Sequence, residues 1–316
     1  MSADTVERRE FKPEPVDAGA PNPYWNLRPI VAELRLSREV THNVRHEGRI
    51  RALPSRQALA EIADGLTAVL FPTHRGRPDL TEESVDYFVG ETLNTSLNAL
   101  SEQVRRGLLV ASERQGESDA AFRDTAHKIT ERFARTLPAI RALLVSDLHA
   151  ALDGDPAATG IPELLLGYPG VNAIIWHRLA HALFKLGATL PARIIADNAR
   201  ATTGIDIHPA AKIGGSFFID HGTGVVIGET VIVGERVRLY QAVTLGAKNF
   251  SVNGDGSLAK GYARHPIVED DVVIYAGATV LGRITIGKGS IIGGNVWLTQ
   301  SVPPGSNVTQ ALNTKS

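Results

Sequence analysis

The chain has 316 residues, 43% of them hydrophobic and 21% charged, with a formal net charge of −1; this fits one large or two ordinary globular domains with a real core. Near-neutral charge and the lack of a polybasic run give no support to nucleic-acid binding through a global basic surface, or to an anionic membrane. There is no cysteine, which excludes a disulfide framework, a thiolate nucleophile and Cys-ligated zinc.

Residues 1–24 are polar and carry Pro13, Pro15, Pro21 and Pro23, a composition that predicts a flexible tail, with Trp25 opening the docked structure. No apolar segment suits a signal peptide, and no run approaches the length of a membrane span, so a cytoplasmic protein is expected. Residues 25–203 read as a helical domain. The stretch Pro54–Ile62 and the stretch from Ala120 to Leu152 place apolar residues at helical spacings. Loops are expected around Pro72, Gly76 and Pro78, around Gly116 and Ser118, and at Asp153-Gly154-Asp155-Pro156. A further helix runs from Ala173 to Lys185 and stops at Gly187. It carries His177 and His181 at i and i+4, the spacing of two metal ligands, but Arg178 follows His177 where a metalloprotease helix has Glu, and no third ligand is evident. Packing or capping is the expected role of both.

From Ile207 the pattern changes to a period of six. Ile207, Ile213, Ile219, Val225, Val231, Val237 and Val243 share one phase. Val268, Ile274, Val280, Ile286, Ile292 and Leu298 share a second. A helix has no use for a six-residue period. Three short faces per coil do, because every sixth residue then points to the axis. The fold class is therefore α+β: an N-terminal all-helical domain followed by a parallel β-helix at 204–304, with a loop at 246–265 and a C-terminal tail at 305–316. Coils of about 18 residues are expected, with Gly at corners. Such a stack needs a cap, which the helices supply, and a homotrimer or dimer of trimers is expected. Gly282-Arg-Ile-Thr-Ile-Gly287-Lys288 has the spacing of a phosphate loop, but Gly289 follows where Ser or Thr belongs, and the six-residue phase already explains both glycines.

The polar residues around the repeat carry the chemistry. The segments are Gly204-Ile-Asp206-Ile-His208-Pro209-Ala-Ala-Lys-Ile-Gly, Asp220-His221-Gly222-Thr-Gly224-Val-Val-Ile-Gly-Glu-Thr, Gln241-Ala-Val-Thr-Leu-Gly-Ala247, Arg264-His265-Pro266 and Leu281-Gly-Arg-Ile-Thr-Ile-Gly287. Residue types alone leave several roles open. Asp206 suits an Asx turn, His221 a corner, Asp155 a helix N-cap before Pro156, and Arg264 a solvated loop charge. A zinc site of His208, His221 and His265 is also conceivable, although their spacings of 13 and 44 argue for no metal.

Together these segments resemble the serine O-acetyltransferases, hexapeptide-repeat acyltransferases of cysteine biosynthesis, over roughly 147–305. The resemblance implies a left-handed β-helix and transfer of acetyl from acetyl-CoA to L-serine. It implies His221 as general base, oriented by Asp206, with His265 completing the catalytic set. It assigns Asp155 and Asp220 to the serine ammonium and Arg264 to its carboxylate. Acetyl-CoA then lies in a groove between neighbouring β-helices, against Ala247, Ala276 and Gly294. His208 belongs to the signature and reads as structural. With no cysteine, acetyl passes directly to serine in a ternary complex.

The loop from Gly246 to His265 resembles the family's long-loop branch and is expected to cover the site of its own or a neighbouring subunit. Members that dock into a sulfhydrylase commonly end in Ile. This chain ends in Ser316, so that complex is not expected. Cysteine, which resembles serine, is a plausible feedback inhibitor. A sugar or alcohol acyltransferase and an inactive scaffold for a sulfhydrylase are the competing readings. Asp155, Asp220 and Arg264 argue against the first, and an intact His221 and Asp206 against the second.

Overall fold

The computed structural model describes residues 25–40, 45–46, 49–50, 52–111, 119–249, 251 and 253–310. The expected tail at 1–24, the loop at Gly116 and Ser118, and Ser316 lie outside the described residues. The chain forms two compact units, residues 1–51 and 52–316.

The first unit holds helix α1, Leu27–Val40, and two short antiparallel strands, β1 Arg45–His46 and β2 Arg49–Ile50. This pair interrupts the run expected to be wholly helical. Trp25 and, on α1, Leu27, Ile30, Val31 and Leu34 are exposed.

Among the described residues the second unit begins with eight helices: α2 Arg56–Leu70, α3 Pro72–Arg75, α4 Val85–Ala111, α5 Asp119–Ala134, α6 Leu137–Gly154, α7 Ile161–Gly167, α8 Pro169–Lys185 and α9 Thr189–Thr203. Ser55 caps α2, its Oγ accepting from Ala58 N at 3.2 Å. The apolar stretch around Ala120–Leu152 is two helices, α5 and α6, because Pro138 starts a new one. Pro lacks the amide proton an interior turn requires but suits a first turn. Among the described residues, no helix is long and apolar enough to cross a membrane.

A left-handed parallel β-helix follows. Its short strands stack into three parallel sheets. The first face stacks Asp206–Ile207, Val226–Ile227, Thr244–Gly246, Thr279–Leu281 and Trp297–Leu298. The second stacks Lys212–Ile213, Ile232–Val233, Ile267–Val268 and Thr285–Ile286. The third stacks Phe218–Ile219, Arg238–Leu239, Val273–Ile274, Ile291–Ile292 and Asn307–Val308. The last strand lies past the expected end at 304.

The single phase expected from Ile207 to Val243 breaks at one place. Ile207 pairs with Ile227 and Ile213 with Val233, twenty residues on rather than eighteen. Thereafter Ile227 pairs with Leu245, eighteen on. Each hexapeptide buries two inward residues, such as Val225 with Ile227 and Val231 with Val233. The six-residue count therefore slides from one inward position to the other at Asp220–Gly224, where two residues are inserted.

A buried ion pair fixes the helices to the first coil. Arg178 Nε and Nη2 donate to Asp147 Oδ2 and Oδ1 at 2.7 and 2.8 Å. Arg178 also donates to the carbonyl of Gly214 at 2.7 Å, and Asp147 Oδ1 accepts from Phe217 N at 2.9 Å. Asp147 is on α6 and Arg178 on α8, so both helices are registered against one corner of the β-helix.

Candidate active site

The inserted turn carries the central residue. His221 has φ 56°, in the left-handed region that costs a residue with a Cβ, and Gly222 and Gly224 share that region at 91° and 80°. Left-handed residues recur at every coil on this corner, at Gly224, Ala242, Gly277 and Asn295. His221 stands outside that stack, in the insertion itself. Its side chain is 71% exposed, and Nε2 lies 3.9 Å from Asp220 Oδ1. Other corners place non-glycine residues in the left-handed region as well, at Ser216, Arg236 and Asp271; what sets His221 apart is a solvent-facing imidazole beside a carboxylate.

Asp155 faces the same corner. It ends α6 with φ −113° and ψ 109°. The reading of Asp155 as an N-cap is thereby corrected: the next helix starts only at Ile161. Its Oδ1 accepts from Ala157 N at 2.8 Å and its Oδ2 from Tyr168 Oη at 2.7 Å. These bonds, Tyr168's first, hold the carboxyl below the usual carboxylate range, and the nearby His221 and Arg238 act in the same direction. Arg238 lies over the Phe218 ring at 5.7 Å. Asp206 sits on the first face, exposed, paired in register with Val226. Gly222 packs on Ile205, so His221 and Asp206 each lie one residue from that contact. Among the described residues no hydrogen bond or ion pair joins His221 to Asp206; Asp220 carries the carboxylate within ion-pair reach.

Arg264 and His265 occupy a different edge. They end the 246–265 loop at the corner between the first and second faces, whereas Asp220–Gly224 form the corner between the third and first. Arg264 Nη2 donates to Glu229 Oε2 at 2.7 Å. Thr230 organises the rest: its Oγ1 accepts from the backbone N–H of Arg264 and His265 at 3.0 and 3.1 Å. Thr230 N–H donates to His265 Nδ1 at 3.1 Å, and Thr230 Oγ1 lies 2.8 Å from the same nitrogen. Nδ1 is therefore an acceptor, and the proton sits on Nε2. Burial first, then the Arg264 charge, push the His265 pKa down, so the ring is neutral. The ring rests directly on Gly228, where a Cβ would collide with it.

His208 is bound into the same edge by structural contacts. Ala210 N donates to its Nδ1 at 3.0 Å, and Arg193 Nη1 lies 2.6 Å from its Nε2. Burial and the Arg193 charge lower its pKa to about 4. His181 Nδ1 lies 2.8 Å from the carbonyl of Pro209, and His177 is buried, its ring 5.7 Å from that of His181. No group of three or more His, Asp or Glu among the described residues is arranged to hold a metal ion.

The residues expected to floor the coenzyme divide in the same way. Ala276 and Gly294 stack on the His221 edge, one coil apart, while Ala247 opens the loop on the Arg264 edge. The described loop residues lie mostly exposed, braced by Tyr262, whose Oη accepts from Ser251 N at 2.9 Å.

A model of the bacterial transferase hexapeptide family (six repeats) matches residues 265–300. The chain is 55% identical over 293 residues to the Synechococcus elongatus protein named "Serine acetyltransferase, plasmid", covering 91% of each. The chain belongs to the serine acetyltransferase family. It is thus an acyltransferase enzyme. The crystal structure of Entamoeba histolytica serine acetyltransferase 1 in complex with L-cysteine is 33% identical, covers 89% of this chain and 97% of that one, and superposes with a TM-score of 0.70. A serine acetyltransferase of Brucella abortus in complex with coenzyme A is 29% identical, covers 78% and 91%, and gives 0.51.

Sequence reasoning missed several residues that contact the candidate groups. Glu229 and Thr230 stood in the quoted Gly-Glu-Thr but drew no role, although a carboxylate one coil from Arg264 is a signal. Gly228 read as a corner glycine rather than as the seat of His265. Tyr168 carried no signal, since its contact with Asp155 joins the ends of two helices.

Proposed function

We propose that His221 is the general base of serine O-acetylation in this chain. The neutral imidazole takes the proton of the L-serine hydroxyl as that oxygen attacks the acetyl carbonyl of acetyl-CoA. The new C–O bond forms, the C–S bond breaks, and the imidazolium returns its proton to the leaving thiolate. The products are O-acetyl-L-serine and CoA, the first step from serine toward cysteine. Asp206, a neighbour on the first face, orients the ring once it turns from Asp220.

Asp155 and Asp220 receive the serine ammonium, and Arg264 its carboxylate. His265 presents Nε2–H to that carboxylate or to the developing oxyanion. The observation that carries the reading is the strained, exposed His221 set beside two carboxylates, Asp155 and Asp220. A sugar acceptor has no ammonium for that pair.

The acidic set and the basic set stand on different edges of the prism, with the first face between them. We read the active site as formed between copies: one copy's Asp155–Asp220–His221 edge meets a neighbour's Arg264–His265 edge. Around a threefold axis this gives three such sites in a homotrimer. The same groove takes acetyl-CoA, with Ala276 and Gly294 on one wall and Ala247 on the other. Cysteine, with the same ammonium and carboxylate as serine, competes for the site. Acetyl-CoA as co-substrate fits a cytoplasmic location.

The test is release of free CoA from acetyl-CoA with L-serine. Serine-dependent release that falls at least about a hundredfold in His221→Ala supports the assignment. No serine-dependent release from folded wild type overturns it.

A further inference from the structure

Asp155 is a half-buried carboxylate that follows α6, and both its oxygens already accept a hydrogen bond. Ala157 N–H holds Oδ1 at 2.8 Å and the Tyr168 hydroxyl holds Oδ2 at 2.7 Å. Each oxygen keeps a second lone pair. Tyr168 immediately precedes α8, and two residues later Gly170 lies against the carbonyl of Ile219, where a Cβ would collide with that oxygen. Ile219 is bonded to Asp220. The Tyr168 hydroxyl is thus tied through α8 to the strand Phe218–Ile219 that leads into Asp220 and His221, while the carboxylate it holds directly follows α6.

We propose that Tyr168 is a positioning residue for the serine ammonium: its hydroxyl locks the Asp155 carboxylate in the orientation that converges with Asp220. The inference rests on the function proposed above and deepens it. A free surface carboxylate samples several rotamers, and a ligand must select one. Two hydrogen bonds remove that selection in advance. The chemistry of the partner also suits the task. A tyrosine hydroxyl is neutral and leaves the negative charge of Asp155 available to an ammonium; an Arg or Lys in its place would cancel it. The proton stays on the tyrosine, whose pKa its bond to Asp155 raises to about 12. Tyr168 is half-buried, so a phenylalanine there keeps the ring packing and removes the hydroxyl alone.

The experiment is a double-mutant cycle in steady-state kinetics with acetyl-CoA and L-serine, using wild type, Tyr168→Phe, Asp155→Asn and the double variant. Tyr168→Phe is expected to raise the serine KM roughly five- to tenfold, the range of one lost hydrogen bond. The kcat and the acetyl-CoA KM stay within about twofold, as for loss of uniform binding. In the Asp155→Asn background the same change adds less than about twofold, because the carboxylate it positions is gone. A merely structural tyrosine would impose its full effect in both backgrounds. Equal effects in both, or a serine KM that does not move, overturn the inference and leave the function standing. A folded wild type without serine-dependent turnover removes the function itself, and this inference with it.

Discussion

His265 shows how much one hydrogen-bond acceptor decides. Because Thr230 N–H points at Nδ1 at 3.1 Å, the proton lies on Nε2, and the ring offers a donor to whatever stands before it. Its seat is the bare backbone of Gly228. Gly228→Ala should push the ring out of that seat and lower kcat/KM for serine at least about tenfold through misplacement. Steady-state assays alongside a thermal melt check this; unchanged kinetics would remove His265 from the site. His208 differs in kind. A neutral imidazole has one acceptor nitrogen, so it accepts from Ala210 N–H or from Arg193, not from both. Its depressed pKa, about 4, means that the folded chain binds fewer protons than the unfolded one between that value and the ordinary value near 6.5. The stability it contributes is complete above about 6.5 and lost as pH falls toward about 4. His177, His181 and His265 are lowered too and add with the same sign. Denaturant midpoints measured across that window should fall with pH, less steeply in His208→Gln; an unchanged slope would contradict this.

At the level of elements, two features position the site. The first is the two-residue insertion at Asp220–Gly224. The six-residue pattern was legible because every coil buries aliphatic side chains, and it survived the insertion only because each hexapeptide has two inward positions two apart. That coincidence hid the break, so the sequence pattern suggested a regular coil where the structure places the strained His221. The motif around it was legible in residue types; its geometry was not. The Arg264–Glu229 pair, 35 residues apart, was obscured because the loop stretches one coil. Tyr168 was invisible because helix packing has no fixed sequence spacing. The second feature is the Arg178–Asp147 fork, both partners about 5% exposed or less. Arg178→Met should leave Asp147 buried and unpaired, costing about 3–5 kcal/mol in chemical denaturation. Adding Asp147→Leu should recover part of that loss, not all, since the Phe217 N–H and the Gly214 carbonyl lose their partners. A single variant as stable as wild type would mean that the fork does not hold α6 and α8 to the coil.

For the whole molecule, the β-helix holds two charged sets on separate edges. One edge gathers Asp155, Asp220 and His221, and another gathers Arg264 and His265. Serine carries both charges on one carbon and needs the two sets within a few ångströms of each other. A rigid prism cannot fold one edge onto another, so the proposed site requires the two sets to meet across copies. The most direct test is subunit mixing. His221→Ala and His265→Ala are each expected to be nearly inactive, since each removes one side of every site. Unfolded together in equal amounts and refolded, they should regain about a quarter of wild-type serine-dependent CoA release, the share of interfaces that pair an intact His221 with an intact His265. Mixtures no more active than the separate variants would contradict a site shared between copies.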